Sequence, residues 1–293
     1  MNAQVESNTA GSEKIAGTSI TAFPEGIHAD VPSEVYHRKE LGVVNKGALD
    51  QLARTPKHYR AWLRSVEQTN TPAMIFGRAL HSLVLEPELF KKQWAKKPDF
   101  GDLRTKIGKE NRDAWVMCHR DMVGISTEDW EKLHAMRDAV MAHPIASKLF
   151  VDGVAESTAI WTNPRTGLLC KSRMDYYQRS RGIVSDLKST EDASGEAFAK
   201  SVAKYRYHVQ HAHYADAFAA TGHDLRAFLF VAVEKEAPYC VNVHCLDADA
   251  EGRGMELRER DMDKLVDCLS TDTWPGYEPK IHTLSLPRWA LND

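Results

Sequence analysis

Cysteine is scarce in this chain: five residues in 293, at positions 118, 170, 240, 245 and 268, with no C-x-x-C pair. That spacing excludes a zinc ribbon and a Cys-ligated cluster, and an odd, scattered set makes no disulfide framework. A reducing cytoplasm is the expected compartment. Long hydrophobic runs are absent as well. No apolar stretch approaches the roughly 20 residues of a membrane span, so no membrane partner is expected. The N-terminus lacks the basic-then-apolar layout of a secretory signal. A strong excess of charge of either sign is also missing: the formal net charge is −3. A nucleic-acid binder is often basic overall, so the total counts mildly against DNA. There is no internal repeat and no low-complexity tract.

What is present is a core-forming composition, 43% hydrophobic with 27% charged residues. The charge is polarised. Between Arg165 and Lys188 six basic residues face only Asp175 and Asp186, and between Lys91 and Arg112 eight basic residues face three acids. Acids pool at Asp247–Asp267. Such a molecule can offer a positive groove despite a negative total. Residues 1–25, polar and rich in small side chains, read as a disordered tail, and 26–293 as a single domain. Asn45 predicts a helix cap, with a helix to Arg54 and a second from His58 to Arg64. Residues 72–86 form an apolar helix. Residues 98–113 read as a loop or short helical arm, followed by helices at 110–123 and 128–141. The pattern then switches to strands at 157–161, 167–178 and 182–189, with a turn at Asn163–Gly167. One long helix, 194–221, two strands, 225–234 and 239–246, and a charged helix, 249–269, complete the order. The fold class is α/β (α+β), a mixed central β-sheet flanked by helices.

The most informative stretch is Arg173-Met174-Asp175, ahead of Asp186-Leu187-Lys188 on the next strand. Strand side chains alternate faces, so Asp186 and Lys188 point the same way and Leu187 the other. With a cooperative register, Asp175 lies beside them. Two carboxylates suit a hard divalent cation, and a lysine suits a phosphate or an attacking water. Metal-assisted phosphodiester hydrolysis needs that arrangement. Taken alone, an Asp-x-Lys is more often a solvated ion pair of little worth.

Three further features bear on that choice. His81 sits on the apolar helix and is either a satisfied boundary residue or a metal ligand. Gln210 and Tyr214 are four apart on one helical face, with Arg206 and His213 near it. They form either a solvent stripe or a hydrogen-bonding face toward a DNA phosphate. Histidines 208, 211 and 213 do not share one face, which argues against a metal there. Arg104, Lys106 and Lys109 form either a solvated arm or a contact to the phosphate backbone.

With these residues assembled, the chain resembles the RecE family, the exodeoxyribonuclease VIII nuclease domain. That family belongs to the PD-(D/E)xK superfamily and is similar at its core to the RecB nuclease domain. The resemblance covers about residues 30–290. It rests on Gly77-Arg78-Ala79-Leu80-His81, Arg104-Thr105-Lys106 with Gly108-Lys109, and Arg173-Met174-Asp175. It continues in Asp186-Leu187-Lys188-Ser189-Thr190, Gln210-x-x-x-Tyr214 and Trp274-Pro275-Gly276-Tyr277. The resemblance implies that His81, Asp175 and Asp186 bind Mg²⁺ (with Mn²⁺ substituting), assisted by the main-chain carbonyl of Leu187. Lys188 would activate the water and stabilise the phosphate, and Gln210 and Tyr214 would complete the site. Glu156 would stand behind the ligands. Arg104, Lys106, Lys109, Arg173, Arg179 and Arg181 would meet DNA, with Lys171 on the same approach.

The expected activity is 5′→3′ digestion of linear double-stranded DNA, leaving 3′ single strands for recombination by strand annealing. Expected partners are duplex DNA ends, a RecT-like annealing protein and further copies in a ring tetramer. The setting would be the cytoplasm of a bacterial host, with a phage or prophage origin. Two alternatives stay open here. One is a different DNA nuclease on this fold, an endonuclease or single-strand repair nuclease. The other is a catalytically dead recombination accessory protein.

Overall fold

The computed structural model describes residues 18–65 and 71–286. Its centre is a seven-stranded mixed sheet. The strands are β1 (Gly26–His28), β2 (Val43–Val44), β5 (Val154–Thr162), β6 (Leu169–Gln178), β7 (Ile183–Thr190), β8 (Ala227–Glu234) and β9 (Val241–His244). The main path runs β1-β5-β6-β7-β8-β9, and β2 adds in parallel to β6. β5, β6 and β7 form an antiparallel meander, β7 and β8 are parallel, and β8 and β9 are antiparallel. β3 (Trp94–Lys96) and β4 (Val123–Ile125) make a separate two-stranded sheet.

Helices cover both faces. Alternation along β8 shows why: Phe228, Phe230 and Ala232 point one way, Val231 and Val233 the other, and all are buried. Burial on both faces gives the near-continuous apolar run of a sheet covered on both sides. The first face packs against α2 (Lys46–Arg54), α3 (Pro56–Arg64), α8 (Gly195–Tyr205), α9 (Tyr207–Ala220) and α10 (Ala248–Thr271). The second packs against α4 (Pro72–Leu85), α5 (Pro87–Gln93) and α7 (Thr127–Ala142). Short α1 (Ser33–His37) closes a third cluster around Ile20, Val35 and Ile160. No helix among the described residues is long and apolar enough to cross a membrane.

Several expectations are refined. Residues 18–25, expected to lie in the tail, join the fold, with Ile20 buried in a cluster with Val31 and Val43; the rest of that expectation, residues 1–17, lies outside the described residues. The arm at 98–113 becomes α6 (Lys106–Cys118), started by Thr105, whose hydroxyl accepts the Gly108 N–H at 3.1 Å. That is an N-cap. The helix expected over 194–221 is two helices. Arg206 stands between α8 and α9 in the left-handed region, at φ +56°. Its guanidinium donates to the Leu49 carbonyl at 2.9 Å and pairs with Asp50 and buried Asp261. Ion pairs therefore hold a bend that helical propensity alone would straighten. Trp274-Pro275-Gly276-Tyr277 is a clamp on α3. Trp274 stacks on Tyr59, and the Pro275 carbonyl accepts the Lys57 N–H at 3.0 Å.

Candidate active site

The site lies where β6 and β7 part. Their ladder pairs Gln178 with Ile183, Tyr177 with Val184 and Tyr176 with Ser185, and stops there. The next pair in register is Asp175 and Asp186. A ladder that ends inside a protein leaves main-chain donors that must be satisfied. The Asp175 carboxylate does this, with Oδ2 accepting the Leu187 N–H at 2.7 Å. One side chain thus bridges the gap.

Two groups of residues meet at this gap. From the α4 face comes His81, its Nδ1 3.5 Å from Asp175 Oδ2. From β5 comes Glu156, flanked by the pairs Ala155–Tyr176 and Ser157–Met174 and so opposite Asp175. Glu156 is in the middle of a strand, yet its φ is +52°. For a residue with a Cβ that conformation costs about 1–2 kcal/mol. Such strain persists where the surroundings over-determine it, which is common at functional sites. His81, Glu156 and Asp175 each offer a ligand atom, and the three atoms lie within 4.8 Å of one another.

From the α9 face come Asp186, Lys188 and Gln210. Asp186 is completely buried. Its Oδ1 accepts from Gln210 Nε2 at 2.5 Å, and its Oδ2 makes a close ion pair with Lys188. Lys188 lies 4.9 Å from the centre of the Tyr207 ring, which adds a cation–π contact.

Electrostatics tie the halves together. Burial, and then the charge of Asp175, push the Glu156 carboxyl up to about 8, with Arg173 opposing. Burial pushes Asp186 up to about 6 although Lys188 opposes it, and Asp175 adds to the rise. Burial works against the Lys188 ammonium, but Asp186 and Asp175 outweigh it and hold it charged above the ordinary lysine value. The two partners of this pair both rise. The direction that governs neutral pH is that of the lysine, because two carboxylates face one ammonium.

These residues fit a hard divalent cation. The donor set is carboxylate oxygens and one imidazole. Burial and the charge of Asp175 raise the Glu156 carboxyl, and a cation placed between the two would relieve both effects. Ligands about 2.1 Å from such an ion lie at most about 4.2 Å apart, a little inside the 4.8 Å within which the cluster's atoms fall.

The sequence-expected residues distribute as follows. Asp186 and Lys188 share a face, as alternation requires, and Asp175 lies beside them. The atoms that cluster within 4.8 Å are those of His81, Glu156 and Asp175, and Asp186, bonded to Gln210 of α9, stands next to them. Leu187 contributes its N–H to Asp175. Gln210 orients Asp186. Tyr214 does not face a phosphate, since it is buried and its hydroxyl donates to the Arg173 carbonyl. It anchors β6 instead.

Arg173 is corrected as a DNA contact. It is buried, donates to Thr158 Oγ1 at 3.0 Å and the Val31 carbonyl at 2.6 Å, and lies over Tyr36. Its charge acts inward, on Glu156. Lys171 is likewise buried, donates to the Arg38 carbonyl at 2.8 Å, and is lowered by burial to about 8. Arg179 and Arg181 are exposed at the β6–β7 turn, the end of the hairpin away from Lys188. Arg104, Lys106 and Lys109 are exposed around the start of α6, with Arg104 paired to Asp102 and Lys106 near Glu110.

Sequence reasoning placed Glu156 behind the ligands, but it stands among them. The available signal was register: an acid on β5 that pairs across from Asp175. Glu86, at the end of α4, is a further acid in the same field, raised by burial and lowered by Arg173.

A mixed sheet with helices on both faces, parting at two acids beside a lysine, defines the PD-(D/E)xK nuclease fold. The chain belongs to the family described as PDDEXK-like domain of unknown function (DUF3799), whose match spans residues 47–286. Among solved structures it is similar to a candidate exonuclease from Eubacterium rectale. That likeness has 15% identity and a TM-score of 0.58 over 90% of this chain and 98% of that one. It shows the shared fold. A second structure, SSO0001, overlaps 74% of this chain and 85% of its own at 13% identity and a TM-score of 0.29. No curated protein matches the chain. The family and the fold support a nuclease.

Proposed function

We propose that this protein is a metal-dependent exodeoxyribonuclease that degrades linear double-stranded DNA in the 5′→3′ direction. It would leave 3′ single strands for recombination by annealing. The observation that carries the nuclease reading is the convergence of His81, Glu156 and Asp175 beside the Asp186–Lys188 pair. The exonuclease reading is supported by the name of the E. rectale relative and by the resemblance to RecE-type nucleases. Polarity, the RecT-like partner, the ring tetramer and the phage setting rest on that resemblance alone.

In this reading His81, Glu156 and Asp175 would hold Mg²⁺ or Mn²⁺, with Asp186 next to them. A bound divalent ion lowers the pKa of a coordinated water and neutralises phosphate charge. The protein's own groups do the rest. Lys188, held charged by two carboxylates, donates to a non-bridging phosphate oxygen as negative charge develops there. Asp186, fixed by Gln210, keeps the ammonium aimed into the gap. Water adds to phosphorus, and the 3′ oxygen leaves and takes up a proton.

The test is digestion of linear duplex labelled at the 5′ or the 3′ end, against closed circular duplex, with and without Mg²⁺. Early release of the 5′ label from the linear form alone, dependent on Mg²⁺ and absent in Asp186→Ala, is expected. Cutting of the circle would replace the exonuclease reading with an endonuclease. Full activity in a folded Asp186→Ala protein would overturn the site.

A further inference from the structure

Beyond the reacting groups, β7 runs into a cavity of about 220 Å³ where its C-terminal end meets α8 and α9. Lys188 lines one wall. Ser201, Lys204, Tyr205 and Lys235 line the others. Glu191 and Asp192 line it too, Glu191 paired with Lys235 and Asp192 accepting the Ser194 N–H at 2.7 Å, and one wall is an aromatic plane. Tyr205 is half exposed and stacked on Tyr207, with ring centres 5.7 Å apart. Tyr207 in turn lies under Lys188. The Lys204 ammonium stands 5.2 Å from the Tyr205 ring centre. Lys235 is paired with Glu191 at 2.8 Å, which leaves Lys204 as the cation next to the exposed ring.

We propose that this cavity is the subsite for the nucleotide adjoining the scissile phosphate, with Lys204 on the neighbouring phosphate and Tyr205 stacked on a base. The inference rests on the nuclease reading given above and adds to it a second contact point on the DNA strand. Three observations support it. The cavity is continuous with the reacting groups through Lys188. Its size is below the roughly 300–1,000 Å³ of sites that engulf a free small molecule, but it suits part of a longer strand lying across it. Its chemistry combines cations for the backbone with an aromatic plane for a base, the pairing used where single strands are held without sequence preference. A larger cavity of about 350 Å³ on the far side of Phe198 also holds a cation and aromatic rings, Arg253 with Phe198 and Phe230, but Lys188 does not line it.

The two contacts separate experimentally. A fluorescent duplex with a frayed single-stranded end is titrated against the full chain by anisotropy in Ca²⁺ buffer, from 50 to 300 mM salt. Lys204→Gln is expected to weaken binding and reduce the salt slope by about one, the signature of one lost phosphate contact. Tyr205→Ala is expected to weaken binding about ten-fold at an unchanged slope, and Tyr205→Phe to restore it. Both positions are exposed, so thermal melting that matches the wild type accompanies each result. If Lys204→Gln and Tyr205→Ala bind like the wild type at every salt, the subsite is overturned while the nuclease reading stands on its own digestion assay. If the wild type neither binds nor digests DNA, both readings fall together.

Discussion

Glu156 is the residue on which the site turns. Its carboxyl is buried beside Asp175, with Glu86 and Asp186 adding negative charge and Arg173 opposing. Its folded pKa, about 8, exceeds its ordinary value of 4.5. A folded acid with a raised pKa binds its proton more tightly than the unfolded chain does. Its stabilising contribution is therefore present below about pH 4.5 and is lost as pH rises to about 8. The metal-free protein is expected to lose melting temperature across that window. Mg²⁺ should flatten the slope by replacing the proton. Glu156→Gln should flatten it without metal and raise the melting temperature at pH 8, while reducing digestion at least a hundred-fold. A scan of melting temperature against pH, with and without Mg²⁺, checks both. Lys188→Met is expected to reduce digestion by at least a hundred-fold. It also removes the counter-charge of fully buried Asp186, so unfolding free energy falls by about 3 kcal/mol, measured in denaturant. Asp186 and Lys188 were legible in the sequence because strand alternation is a local rule, and Asp175 because a short turn joins its strand to theirs. Glu156 was not, because its role depends on register with a different strand and on a positive φ that no propensity predicts.

At the scale of elements, the site depends on where α9 is held. α9 supplies Gln210 to Asp186 and Tyr207 to Lys188, and it is seated by α10. Gly254 of α10 makes the closest approach. A Cβ there would lie 2.2 Å from the His208 carbonyl oxygen. Gly254→Ala is expected to force the helices apart at a cost of about 1–3 kcal/mol. It should lower digestion as well, because Gln210 moves with α9. Gly252, one half-turn away, meets nothing within 4 Å. Gly252→Ala is expected to stabilise by roughly 0.5–1 kcal/mol through helix propensity alone. Denaturant midpoints of the two variants, opposite in sign, check the helix contact. The order of strands and helices was readable from period and turn residues. The break at Arg206 was not. Nothing near it in sequence is a helix breaker, and the groups that hold it, Leu49, Asp50 and Asp261, come from α2 and α10.

The whole molecule carries a small negative net charge and gathers four acids around one gap: Glu86, Glu156, Asp175 and Asp186. A polyanion meets repulsion there unless a cation is present. DNA affinity is therefore expected to fall at least ten-fold when EDTA removes divalent ions, as read by anisotropy. The sequence by itself determined the fold class and the Asp/Asp/Lys set. Composition, alternation and spacing are properties of one segment at a time. Only the tertiary structure decided which residues share the site and which do not. It brought Glu156 in and turned Asp186 toward α9. It also buried Arg173, Lys171 and Tyr214, which the sequence had placed before the DNA. Whether a side chain faces a ligand or a neighbouring strand is set by the elements packed around it, and those come from distant parts of the chain.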